Sequence, residues 1–307
     1  MHLQTCLKEL PLKFKLTIIL KIIATIGNIL FITANLYCQY NTQFVETRTQ
    51  VIQGEQYSII KMSREDEHVK VKYFAAKDYL GNSVYKRYLD WSKDKNIILY
   101  TSGTYMNDYD INLALPEGIC VDNGNIVNKV LQAYDGLAIV YQTGGIAVSN
   151  IKKGDLTISF DGVKKKIDLR NALDRIEFFK WAQGQNATVF QTHLFYFMNS
   201  LLINRNTSSN KKQERRFFAV GKLNGRTTYY IINLASPNTI YDATVKVANF
   251  LTNFEELEEI TFILNLDTGA QNVFQLKTSE GKIDNRKSFQ GTLPINNALN
   301  LLVYYYE

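Results

Sequence analysis

Beyond residue 43 the chain alternates apolar and polar positions with a period of two over much of its length. The segments "FVETRTQVI" and "QYSIIKM", separated by Gly54 and Glu55, and then "HVKVKYF" read as half-buried strands, the last with Val69, Val71 and Tyr73 on every second residue. Four later corners, Asn123-Gly124, Gly144-Gly145, Asp161-Gly162 and Asn224-Gly225, each join two such runs and predict hairpins, because these pairs tolerate positive φ. "NIILY", "ATVFQTHLFYF", "ITFILNL", "NVFQLK" and "ALNLLVYYY" complete the strand inventory.

Three stretches change period. Ala75 to Lys95, with Val84, Tyr88, Leu89 and Trp91, reads closer to a helix than a strand, and Asn171 to Gln183 reads as helix. The best-marked helix follows Ser236, Asn238 and Thr239, three candidate N-caps, and carries Ile240, Ala243, Val247 and Leu251 on one face. Many hairpins, few helices and no βαβ alternation predict an α+β fold: a mainly antiparallel or mixed sheet with a few flanking helices, forming a single domain over residues 39–307.

The first 38 residues break the pattern. Lys8, Lys13, Lys15 and Lys21 precede an apolar run from Ile22 to Leu36, the layout of a secretory signal peptide, with an uncleaved anchor as the alternative. Without that segment, which carries four lysines and one glutamate, the net charge of +6 falls to +3 and only Cys120 of the three cysteines remains. The expected product is therefore an exported, periplasmic or extracellular protein, without an internal disulfide and touching a membrane only through its amino-terminal segment if that is kept. A near-neutral charge for its size also argues against nucleic acid as a partner.

The chain has no GxGxxG, no P-loop, no GxSxG and no HExxH. With His68 and His193 alone beyond the leader, a histidine-rich metal site is excluded, and His193, inside an expected strand, reads as structural. No cofactor is implied; the Asp and Asn side chains of the loops leave Ca²⁺ open as a ligand, though without EF-hand spacing. Three loops after apolar strands stand out: Thr101-Ser102-Gly103 after "NIILY", Gly144-Gly145 after "AIVYQ", and Asp267-Thr268-Gly269 after "ILNL". Small residues there let backbone N–H groups approach a ligand, so these loops are expected to open on one pocket. Arg216, abutting "FFAVG" after a basic run, is the cation most suited to hold a phosphate or carboxylate. Asp108, Asp110 and Asp122 are further acidic candidates.

The order of these features resembles the phosphodiester glycosidase family, which includes the uncovering enzyme and many bacterial exported proteins associated with exopolysaccharide. The series runs through Thr101 to Tyr105, Pro116 to Gly118, Asn123-Gly124, Gln191-Thr192, Arg215 to Gly225 and Leu264 to Gly269. Thr101, Ser102, Thr268, Ala270 and Gln271 depart from the family's usual residues, and Arg216 lies five positions before Gly221 where four are usual. The resemblance implies hydrolysis of a glycosyl 1-phosphate diester of a glycan or cell-envelope polymer. Asp267 would then act as base or electrostatic stabiliser and Arg216 as phosphate clamp, with Thr101, Ser102, Gly103, Gly144, Gly145, Gln191, Thr268 and Gly269 binding substrate. The alternative is a non-catalytic glycan-binding or exopolysaccharide accessory protein with the same fold.

Overall fold

Asn224 and Gly225, with φ of 51° and 71°, close the longest hairpin of the molecule, and Asn123 and Gly124, with φ of 50° and 79°, close one of the shortest. Both are the left-handed pair that matches the twist of antiparallel strands. The computed structural model describes residues 45–64, 68–76, 84–107, 114–154, 156–160, 162–269, 272–277, 283–284 and 295–307, all within the unit Tyr40–Glu307. The expected leader (residues 1–38), Asp108, Asp110, Asp161, Ala270 and Gln271 lie outside the described residues.

The strands form three main sheets. The first contains β1 (Val45–Ile52), β2 (Glu55–Ser63), β12 (Leu194–Phe197), β13 (Ser200–Leu201), β14 (Gln213–Leu223), β15 (Arg226–Asn238) and β16 (Glu259–Leu266), in the order β1-β2-β15-β14-β16-β12-β13. The second contains β3 (Val69–Ala75), β4 (Asn96–Thr101), β17 (Phe274–Lys277), β18 (Ile283–Asp284) and β19 (Asn300–Tyr306), in the order β18-β17-β4-β19-β3. The third contains β5 (Cys120–Asp122), β6 (Asn125–Asn128), β7 (Gly136–Val140), β8 (Ile146–Asn150) and β11 (Thr188–Thr192), in the order β6-β5-β11-β7-β8. A separate ribbon pairs β9 (Thr157–Phe160) with β10 (Val163–Lys166). Pairings within the first sheet are antiparallel throughout, as are those of the other two.

The inner faces of all three sheets bury one shared core, with Phe218 and Leu264 from the first, Tyr73 and Tyr304 from the second, and Ala138 and Phe190 from the third. Each outer face is covered by one helix. Helix α1 (Val84–Ser92) packs Val84 and Tyr88 on the second sheet. Helix α2 (Ala172–Gly184), capped by the Asn171 side chain, packs Phe178, Phe179 and Ala182 on the third. Helix α3 (Ile240–Asn253), capped by Thr239, packs Ala243, Val247 and Leu251 on the first. Strands buried on both faces lose the clean alternation of a one-sided sheet, which is why β14 is buried without interruption from Arg215 to Gly221. Among the described residues three α-helices each cover a sheet, so the expected mainly antiparallel sheet with a few flanking helices is found, with a mostly-β rather than an α+β character.

Candidate functional site

Three strand ends, one from each sheet, converge. β4 runs into Ser102–Tyr105, β16 runs into Asp267–Gly269, and β11 passes from the third sheet into β12 of the first through His193. Backbone and side-chain bonds lock the three together. Asp267 N donates to Gly103 O at 3.1 Å, and Asn265 N to His193 O at 3.0 Å. Thr192 Oγ1 donates to Asn265 O at 2.8 Å, and Thr104 Oγ1 to Gln191 O at 2.7 Å.

Asp267 sits in this seam with 3% of its surface exposed. Burial raises its carboxyl to about 6, against the lowering effect of the Gly269 N–H, which donates to Oδ1 at 2.7 Å, and of the Arg216 charge. Tyr105, Tyr134 and Glu117 share its electrostatic surroundings. Tyr105 packs against Tyr134 and His193 with ring centres 5.7 and 5.8 Å apart, and Tyr134 lies 4.2 Å from His193. Both phenols are pushed up, chiefly by burial, and Tyr134 also by its hydrogen bond with the Glu117 carboxylate. Burial and then the Arg215 cation bring His193 down to about 4, so the imidazole is neutral in the ordinary pH range. The expectation of a structural histidine within a strand is amended: His193 is the junction between two sheets and forms a wall of the cluster.

Arg215 and Arg216 face opposite sides of β14. Arg216 is fully buried. Its Nε donates to Asn233 Oδ1 at 2.7 Å, and its Nη1 to Thr101 Oγ1 at 2.9 Å and Val273 O at 3.0 Å, while the guanidinium lies 4.8 Å from the Phe274 ring. Burial lowers it to about 9, with Asp267 and Glu214 opposing that shift. Those bonds tie the first sheet to the second, so the expected phosphate clamp is occupied by the protein itself. Arg215 takes the opposite face, where its charge acts on His193 and Tyr105. Its Nη2 donates to Lys211 O at 3.0 Å.

The other expected site residues divide. Thr268 and Gly269 belong to the Asp267 turn, with Thr268 Oγ1 donating to Glu214 O at 2.9 Å. Thr101 and Ser102 are buried in the Arg216 network and in a pair of bonds with Val273. Gly103 is small for the sake of the protein: a Cβ there would stand 2.8 Å from Tyr73 Cε2 and 3.0 Å from Asn300 Oδ1. Gln191 uses its whole amide on the scaffold, accepting from the N–H groups of Ile119 and Gln132 and donating to Gln132 O and Tyr134 O. It holds the loop that carries Tyr134, and contacts no open space. Gly144 and Gly145 are not brought to the cluster. Gly144 O accepts from Val71 N at 2.7 Å, and a Cβ on Gly144 would meet Lys70, whereas Gly103 packs by Asn300, which pairs with Ala75 at the other end of β3. Four residue steps along β3, from Val71 to Ala75, put the two loops on the order of 13 Å apart along the strand. The three loops are therefore not all brought together: the Gly103 and Asp267 turns meet beside the His193 crossing, and Gly144-Gly145 lies apart from them.

Asn265 adds a feature that no pattern flagged. It is 1% exposed, lies in β16 two residues before Asp267, and among the described residues neither Oδ1 nor Nδ2 has a hydrogen-bond partner. Two cavities of about 400 Å³ adjoin the cluster, one lined by His193, Phe195 and Asn204 and the other by Gln132, Tyr134 and Ile151. Both are bordered by Asp135 and Lys152, whose charged ends are 3.8 Å apart. Among the described residues no group of three or more His, Cys, Asp and Glu side chains gathers as a metal site; Asp122 bonds Ala75 N and Arg87 instead. Tyr105 and Glu117 were within reach of sequence reading, since both lie in the loops singled out, and simple alternation along β14 separates Arg215 from Arg216. Tyr134 and Asn265 had no local signal.

No protein-family model and no curated protein matches the chain. Among solved structures, the catalytic domain of zebrafish N-acetylglucosamine-1-phosphodiester alpha-N-acetylglucosaminidase, auto-inhibited by its pro-peptide, is similar with a TM-score of 0.49 and 11% identity, over 87% of this chain and 85% of that one. A hypothetical protein from Synechocystis is similar with a TM-score of 0.46 and 10% identity, over 86% of this chain and 62% of that one. Identities this low say nothing of activity.

Proposed function

We propose that this chain is an exported hydrolase of glycosyl 1-phosphodiesters and that the seam around Asp267 is its active site. The reading is carried by one observation: a buried carboxyl raised to about 6 stands among two phenols, a second carboxylate and a neutral imidazole, with Arg215 beside them. The ordered loops that resemble phosphodiester glycosidases supply the substrate class. A sugar 1-phosphodiester departs as a phosphate anion, so a strong acid at the leaving oxygen is not required. What is required is a cation for the phosphate, a carboxylate for the cationic sugar or the attacking water, and a wall for the ring.

In this reading Asp267 is the base or electrostatic stabiliser, and Arg215, not Arg216, meets the phosphate. Tyr105, Tyr134 and His193 form the sugar wall, and Asn265 offers the substrate an unused amide. Incubation with a panel of activated hexosyl 1-phosphodiesters should release the leaving group, with Asp267→Asn and Arg215→Ala both depressed. The aromatic wall favours a second reading, glycan binding without turnover. Sugar-phosphate binding by the wild type without release from any of the panel would establish that reading and remove the first.

A further inference from the structure

The outer layer of the third sheet carries a face that the site does not use. Helix α2 buries Phe178, Phe179 and Ala182, yet its opposite ridge is also apolar, with Leu173 72% and Ile176 52% exposed, followed by Lys180 at the next helical repeat. On one flank of the ridge lies a groove of about 710 Å³ between α2 and the segment after β6, floored by Ile126, Leu131 and Phe179 and rimmed by Lys129, Arg175 and Lys180. Val130, 55% exposed, stands at its edge. The other flank is the β9–β10 ribbon, tied to α2 by Lys165 with Glu177 and by Trp181 Nε1 with Ser159 O. Its outer strand is four exposed residues, Val163-Lys164-Lys165-Lys166, and Val163 is 69% exposed.

Charge sets the class of partner. Glu177 is paired with Lys165, Asp168 with Arg170, and Asp174 accepts the Asp168 N–H. Lys129, Lys164, Lys166 and Lys180 have no acidic partner among the described residues. Exposed aliphatic side chains set among lysines without an acidic partner among the described residues suit a surface that is apolar a few ångströms deep and anionic at its rim. An acyl boundary lying beneath lipid phosphates supplies both at once, apolar depth for the aliphatic ridge and phosphates for the lysines. We propose that this face docks on the surface of an anionic phospholipid bilayer, with Val130, Val163, Leu173 and Ile176 entering the interface and Lys129, Lys164, Lys166 and Lys180 meeting lipid phosphates.

The test is hydrogen exchange on the full-length chain with vesicles of phosphatidylcholine alone or with about one third phosphatidylglycerol. The anionic vesicles should protect segments 126–131 and 163–183, and protection should fade in high salt, where surface charges are screened within a few ångströms. Lys164→Ala with Lys166→Ala should weaken the vesicle affinity of this face by roughly fivefold per lysine, and Leu173→Ser with Ile176→Ser should abolish the protection. These surface changes leave the fold in place, which the exchange of the remaining segments reports in the same experiment. Vesicle binding that leaves both segments unprotected would overturn the proposal. So would protection that rises with protein concentration in the absence of lipid, which would assign the face to a second copy of the chain.

Discussion

Arg215 and Arg216 are neighbours on one strand and live in opposite environments. Arg216 enters the core between two sheets, where its donors meet Asn233, Thr101 and Val273. Arg215 looks the other way, toward His193 and Tyr105. The contrast extends along β16. On the Arg216 side the guanidinium meets three protein acceptors, although the Nδ2 of its partner Asn233 has none among the described residues. At the end of β16 lie a carboxyl that burial disfavours in its ionised form, within reach of the Arg216 charge, and two residues earlier an amide with neither atom bonded among the described residues. Bonded polar groups hold a fold together; a carboxyl raised by burial and an unbonded amide are held at the expense of stability.

If that contrast is right, substitutions on the two sides should move stability in opposite directions. The largest effect is expected from Arg216→Ala, which strands three acceptors and opens a cavity; urea unfolding should show a loss of about 3–5 kcal/mol. Stability unchanged by this substitution would break the comparison at its first side.

Asp267→Asn should reduce turnover of a sugar 1-phosphodiester by about 10²–10⁴-fold while making the protein more stable at pH 7. The sign follows from the raised carboxyl. Its folded value of about 6 exceeds the ordinary 3.8, so the native state holds the proton more tightly and loses stability as pH rises from about 4 to 6. The full penalty is present at pH 7 and amounts to about 2–3 kcal/mol at a little under 1.4 kcal/mol per unit. His193 has the opposite sign. Lowered to about 4, it contributes stability that is present above about 6.5 and lost as pH falls toward 4. Unfolding midpoints from pH 4 to 7 should therefore lose their declining component in Asp267→Asn and their rising component in His193→Gln. A pH profile unchanged in Asp267→Asn would remove the strained carboxyl from the account.

Asn265→Leu, close in volume, should stabilise by about 1 kcal/mol by removing an unbonded buried amide, and should weaken substrate binding. Stabilisation with unaltered KM would make Asn265 a packing residue and narrow the site to the Asp267 turn. The last substitution tests the seam itself: Gly103→Ala pushes a methyl toward the Tyr73 ring and should cost about 1 kcal/mol, with activity falling only as Asp267, bonded to Gly103 O, is displaced.

Local sequence settled what depends on a few neighbouring residues. The Asn-Gly corners fixed hairpins because few other pairs accept two left-handed residues in succession, and Thr239 and Asn171 fixed helix starts because their side chains accept the free N–H groups of a first turn. Alternation located most strands and, at Asp267, a carboxylate carried to a strand end. What the sequence left open was which strand ends meet. Gly103, Gly144 and Asp267 share one pattern of small residues after a strand, but the order of strands sends Gly144 down β3 and brings His193 in its place. Gln191 entered the expected site through the family resemblance and Arg216 as the cation abutting a strand after a basic run, and the fold uses both as internal ties. Whether a buried polar group serves the protein or a ligand depends on the atoms opposite it. Those atoms come from residues as far as 115 positions away, as Thr101 does for Arg216, and only tertiary packing brings them there.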